Sequence, residues 1–113
     1  MKAQAMIDGG ICGFHSKVRA ESDDSQMVQL TLTSGCEKVA AFGQALAAKG
    51  PVDGYAEIGD GADGVVLTTA RESLKGCCAA CAVPIGVFKA MQVAAGVALP
   101  KDVSMRISSN DDA

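Results

Sequence analysis

The order of periodicities along this chain predicts an α+β domain, with helices laid on one face of a mainly antiparallel sheet. Three observations carry that expectation. Apolar and polar residues alternate with period 2 in three successive runs near the start; apolar residues then recur at helical spacing; and a last period-2 run follows the helices. The element order is βββαααβ, and 113 residues make one domain, 1–113.

Residues 2–7 place Ala3, Ala5 and Ile7 on one side before the break at Asp8-Gly9-Gly10. In residues 14–21, Phe14, Val18 and Ala20 face one way and His15, Lys17, Arg19 and Glu21 the other, with Ser16 a polar interruption of the apolar side. A polar turn at residues 21–25 leads to a third strand in which Val28, Leu30 and Leu32 alternate with Gln29, Thr31 and Thr33. After Ser34-Gly35, the residues Val39, Ala40, Phe42, Gly43, Leu46 and Ala47 recur at helical spacing up to the stop at Lys49-Gly50-Pro51. Residues 51–64, with Pro51, Gly54, Gly59, Gly61 and Gly64, read as a loop or short irregular turns. Residues 65–74 form a second helix closed by Gly76. Pro84 opens a third over 85–99, apolar on most sides and stopped by Pro100. Val103, Met105 and Ile107 alternate with Ser104 and Arg106 in a fourth strand, and residues 110–113 are expected to fray.

Composition excludes several function classes. The net charge is −3, the basic residues are scattered and aromatics make up 4%, so neither a basic footprint nor a stacking surface for nucleic acid is present. No window approaches the roughly 18 uninterrupted apolar residues of a membrane span. The first residues lack the apolar run of a secretory signal, which makes the cytoplasm the expected compartment. Five cysteines are an odd number for a disulfide framework, and in a reducing compartment they stay thiols.

Those cysteines are the candidate chemistry. Cys77, Cys78 and Cys81 fall within five positions, while Cys12 follows the first strand and Cys36 the third. If the first helix runs back down the sheet and the second returns, all five reach the end where the first strand finishes. Cys36 and Cys81 precede helices, whose free N–H groups favour a thiolate. Cys78 and Cys81 form a C-x-x-C pair, and Cys12 and Cys36 complete four thiolates, a set suited to tetrahedral zinc or an iron–sulfur cluster. Cys77 is the spare, able to stand in for Cys78. The other readings of the same residues are a thiol–disulfide or persulfide-handling protein using Cys78 and Cys81, and a metal-free interaction module in which the thiols only pack. His15, on the polar side of its strand, is most simply a solvated residue, and Gly9-Gly10-x-x-Gly13 lacks the following helix of a dinucleotide site.

Cys12-Gly13 after the first strand, Gly35-Cys36 at a strand-to-helix junction, and cysteines ahead of a long helix carrying Phe88-Lys89-Ala90 resemble the IscU/NifU-type iron–sulfur cluster scaffold proteins. In that family a His-Cys pair opens the last long helix, where this chain has Cys77-Cys78 or Cys78 with Cys81. Phe14 stands where the family has an aspartate that promotes cluster release. The resemblance implies a metal or cluster site with a storage, carrier or structural role and a protein partner in cluster or sulfur transfer. Cys12-Gly13-Phe14, Cys81-Ala82-Val83-Pro84 and residues 98–103 (ALPKDV) are also similar to a family of small uncharacterised prokaryotic proteins.

Overall fold

The computed structural model describes residues 1–110. Its elements are β1 (Lys2–Asp8), β2 (His15–Glu21), β3 (Met27–Ser34), α1 (Glu37–Ala48), β4 (Val52–Asp53), α2 (Gly54–Asp60), α3 (Val65–Ser73) and α4 (Val83–Ala94), with single 3-10 turns at Gly10–Cys12, Gly61–Asp63 and Gly76–Ala80. The fold is α+β. The strands lie in the order β1-β2-β3-β4, all antiparallel, and β1–β2 pairing runs unbroken from Lys2 opposite Glu21 to Asp8 opposite His15.

The alternation along β2 and β3 sorts the two faces of the sheet. Val18, Ala20, Val28 and Leu30 point into the core with Val39, Phe42 and Leu46 of α1 and Val87, Ala90 and Met91 of α4, while Lys17, Arg19, Gln29 and Thr31 line the opposite side. Helix α4 lies over β1 and β2, α1 over β3, and α3 packs against both helices. Small residues let α4 sit low on the sheet: a Cβ added to Gly86 would fall 2.6 Å from Cγ1 of Ile7.

The β2–β3 turn is organised by Asp24. Its Oδ1 accepts the N–H groups of Gln26 (3.0 Å) and Met27 (2.9 Å), and Ser25 takes the left-handed conformation at φ 59°. Asp53 caps α2 by accepting from the N–H groups of Tyr55 and Ala56, and its other oxygen accepts from Gln26 Nε2 at 2.8 Å. Both carboxyls sit below the ordinary 3.8 of an aspartate. The Met27 N–H is the chief cause for Asp24 and the Gln26 amide for Asp53. A depressed folded-state pKa stabilises above the unfolded value, and that contribution is lost as pH falls through the folded one. Denaturant midpoints measured as the pH is lowered below about 4 should therefore fall less steeply for the Asp24→Asn, Asp53→Asn double variant than for the parent chain.

Three expectations need correction. The segment 51–64 is not loop: Asp53 caps a seven-residue helix there, and Val52–Asp53 pairs with Met27–Val28 as the fourth strand. Residues 103–107 form no strand, and residues 101–110 are exposed throughout. Helix α4 stops well before Pro100, because Gly96 (φ 77°) reverses the chain and the N–H groups of Gly96 and Val97 bond back to the carbonyls of Val93 and Gln92. The expected fraying beyond Asn110 lies outside the described residues. By length and composition Gly76–Ala94 is apolar enough to cross a membrane. It is nevertheless broken at Cys81-Ala82, and Val83, Val87, Ala90, Met91 and Ala94 of its helical part belong to the core.

Candidate functional site: the cysteine end of the sheet

Strand directions carry Cys12 and Cys36 to one end of the sheet. Cys12 closes the 3-10 turn that follows β1, within a loop pinned at its base by the Gly9 N–H to Phe14 carbonyl bond (2.9 Å). Gly10 and Gly13 both have positive φ, 79° and 77°. The Cys12 side chain folds back over the loop: a Cβ added to Gly9 would fall 2.5 Å from its Sγ, so a larger residue there would displace the thiol. The Phe14 ring lies against Gly35, one residue before Cys36, which brings the loop to the β3–α1 junction.

Cys36 is the residue that caps α1. Its N–H donates to Ser34 Oγ (3.0 Å), and Ser34 Oγ also accepts from the hydroxyl of the buried Ser16 (2.8 Å). The polar interruption at Ser16 in the apolar side of β2 is thus part of the support that fixes the Cys36 backbone. Two small hydroxyls in register give no distinctive sequence signal, and this support was missed by sequence reasoning.

The return leg is real. Helix α3 runs back toward this end, and Lys38 Nζ in the first turn of α1 donates to the carbonyl of Lys75 (3.4 Å) just after it. Gly76, at φ 67°, turns the chain into the 3-10 segment that bears Cys77 and Cys78. The Cys81 N–H closes on the Cys78 carbonyl at 3.1 Å, and α4 begins two residues later with Gly86 over Ile7, near the end of β1. Cys36, Cys78 and Cys81 are half-buried against the core, whereas Cys12 and Cys77 are exposed, and all five are free thiols. His15 is exposed at the start of β2, as alternation implies.

Burial pushes the Cys81 thiol above the ordinary 9.0. An N–H from Val83 pulls the other way, and the neighbouring Cys78, Cys12 and Cys36 push it up further through the charge they would carry. The expected lowering by the helix start is therefore reversed at Cys81, because desolvation outweighs the single N–H. The element directions bring Cys12, Cys36 and the segment bearing Cys77, Cys78 and Cys81 to the same end of the sheet. Among the described residues, no group of three or more His, Cys, Asp or Glu side chains is gathered closely enough to hold a metal ion as it stands. Alkylation of the metal-free protein at neutral pH should modify Cys12 and Cys77 first and Cys81 last, as read by mass-mapped labelling rates.

Over residues 3–107 the chain matches the family described as "Family of unknown function (DUF6951)", and it belongs to that family. No curated protein and no solved structure matches it significantly. The scaffold resemblance therefore rests on the order of its motifs alone.

Proposed function

We propose that this chain is a thiolate metal-binding protein that takes up a zinc ion or a small iron–sulfur cluster through Cys12, Cys36, Cys78 and Cys81. The observation that carries the reading is the topology: the β1–β2 loop, the β3–α1 junction and the segment after α3 bring Cys12, Cys36 and the Cys78–Cys81 pair to one end of the sheet. Thiolates are soft ligands, and four of them suit zinc or iron–sulfur chemistry in preference to calcium or magnesium. Ligation requires the sulfurs to close to roughly 4 Å from one another around a Zn–S distance of about 2.3 Å. The segments to close are the glycine loop bearing Cys12 and the 3-10 turn bearing Cys78, the latter hinged at Gly76. Cys77, exposed beside Cys78, is the alternate ligand. Phe14, at the mouth of the loop, keeps the site dry and the bound group slow to leave.

Ile11 and Phe14, flanking Cys12, and Ile85, in the first turn of α4 after Cys81, are exposed apolar residues suited to a protein partner that delivers or receives the metal, cluster or sulfur. Five unpaired thiols fit a reducing compartment such as the cytoplasm. The test is metal analysis of untagged protein purified anaerobically. About one zinc, or two to four irons with visible absorption, is expected. Protein that stays metal-free after exposure to zinc and to iron with sulfide overturns the reading.

One observation favours a second reading. Cys81, half-buried and with its thiol pushed up by desolvation, suits the resolving partner of Cys78 in thiol–disulfide exchange better than the attacking one. A Cys78–Cys81 disulfide formed reversibly in glutathione buffers, together with failure to bind metal, would select it.

A further inference from the structure

We propose that residues 102–108 of one copy of this chain add as a strand to the free edge of β1 in a second copy, the two chains exchanging these tails in a twofold dimer. The sheet ends at β1, whose outer backbone groups have no strand partner among the described residues along all seven of its positions. Soluble proteins usually blunt such an edge with a proline, a bulge or inward charges. None is present: pairing with β2 is unbroken, β1 contains no proline, and its inward residues are Ala3, Ala5 and Ile7, only half-buried. The apolar layer beneath α4 is unfinished on that side.

The tail has the complementary character. Val103, Met105 and Ile107 are 61%, 73% and 92% exposed, and polar residues alternate with them. That is the pattern of a half-buried strand without a sheet, and residues 102–108 equal β1 in length. Side-chain parity also agrees. In a parallel, in-phase addition, Val103, Met105 and Ile107 fall beside Ala3, Ala5 and Ile7 and extend the inward layer, and Asp102 falls beside Lys2. The antiparallel alternative with the same parity sets Asp102 against Asp8, a like-charge pair.

A second copy is the occupant because the tail is held off its own domain. Pro100 restricts Leu99 to extended conformations, residues 101–110 are exposed, and the molecule measures 51 × 27 × 24 Å. A short hinge with a projecting, strand-patterned arm is the arrangement from which identical elements are exchanged between protomers. The family match runs from Ala3 to Ile107, the first inward residue of β1 to the last apolar residue of the tail, so both halves of the contact belong to the family's domain.

Light scattering after size exclusion, in reductant and chelator, tests the proposal on the full chain, a chain ending at Pro100, and Met105→Asp. The full chain should be a dimer. Both variants should be monomeric, Met105→Asp with an unchanged circular dichroism spectrum. A photocrosslinker replacing Ile107 should join the tail to β1 between copies in mixtures of isotope-labelled and unlabelled protein. A full chain that stays monomeric at every concentration, a dimer that survives both variants, or crosslinks confined to one chain would each overturn it, the last by showing that the tail closes on its own β1.

Discussion

Glu57→Ala is expected to lower the folding free energy by about 2–3 kcal/mol and the melting temperature by roughly 10 °C or more. Glu57 belongs to α2 yet serves the start of α3: its Oε2 accepts the Val65 N–H at 2.9 Å and its Oε1 the Val66 N–H at 2.6 Å. The side chain is 3% exposed, and Val66 is fully buried. Water therefore cannot replace the lost acceptor at Val66, and an unpaired buried donor carries its full desolvation cost. The carboxylate also faces the positive end of α3. Gly64 is fitted to it, since a Cβ there would fall 2.9 Å from Oε2. Glu57→Gln, which keeps one acceptor and the shape, should recover about half the loss. Thermal and urea unfolding measure both variants, and an alanine variant within 0.5 kcal/mol of the parent, roughly the noise of a surface change, would show that the pair of bonds is not formed in solution.

Cys36→Ser should weaken metal binding about a hundred-fold, as should Cys12→Ser and Cys81→Ser, whereas Cys77→Ser should leave it intact. Structural zinc sites are worth about 10–16 kcal/mol. Losing one of four thiolates should therefore cost on the order of 3 kcal/mol, or about a hundred-fold in affinity. Cys36 is the sharpest position, because the bonds from Ser16 and Cys36 to Ser34 fix its backbone and no other cysteine is near it in sequence. Cys78→Ser should show a weaker defect, with Cys77 swinging in from the adjacent position on the same 3-10 turn. Competition with a chromophoric chelator measures each affinity. Undiminished binding by Cys36→Ser would end the four-ligand reading.

The residues differ in how openly they declare these roles. In β2 and β3 the alternation of Val18 and Ala20 with Lys17 and Arg19, and of Val28 and Leu30 with Gln29 and Thr31, marks both the strands and the buried face, because one side of the sheet is covered and the other is not. The sharing of one end by Cys12, Cys36 and the later cysteines follows from strand parity once α3 is a return leg. Helix α2 is hidden by Gly54 and Gly59 within it and Gly61 just after it, all poor helix formers, and the cap from Asp53 and the bonds of Glu57 to the start of α3 support it. Residues 103–107 mislead in the opposite way: their period-2 pattern is genuine, but a strand also needs an edge to pair with, and one chain's sequence does not say whose. The raised Cys81 thiol was equally invisible, since a helix start is legible from Pro84 while the depth of Cys81, two residues before the helix, is set by its packing against the core.

The meander has a kinetic consequence. β1 pairs with β2 and β2 with β3, each partner being the next strand in sequence, and every strand pair among the described residues is antiparallel. Only short loops must therefore close before the three longest strands are in register, and chain entropy is surrendered in small steps. A sheet assembled from sequence neighbours, with α1 following directly from β3 to cover it, belongs among topologies that refold in milliseconds or faster. Little time is left for the apolar face of the sheet to meet another chain before α1 and α4 cover it.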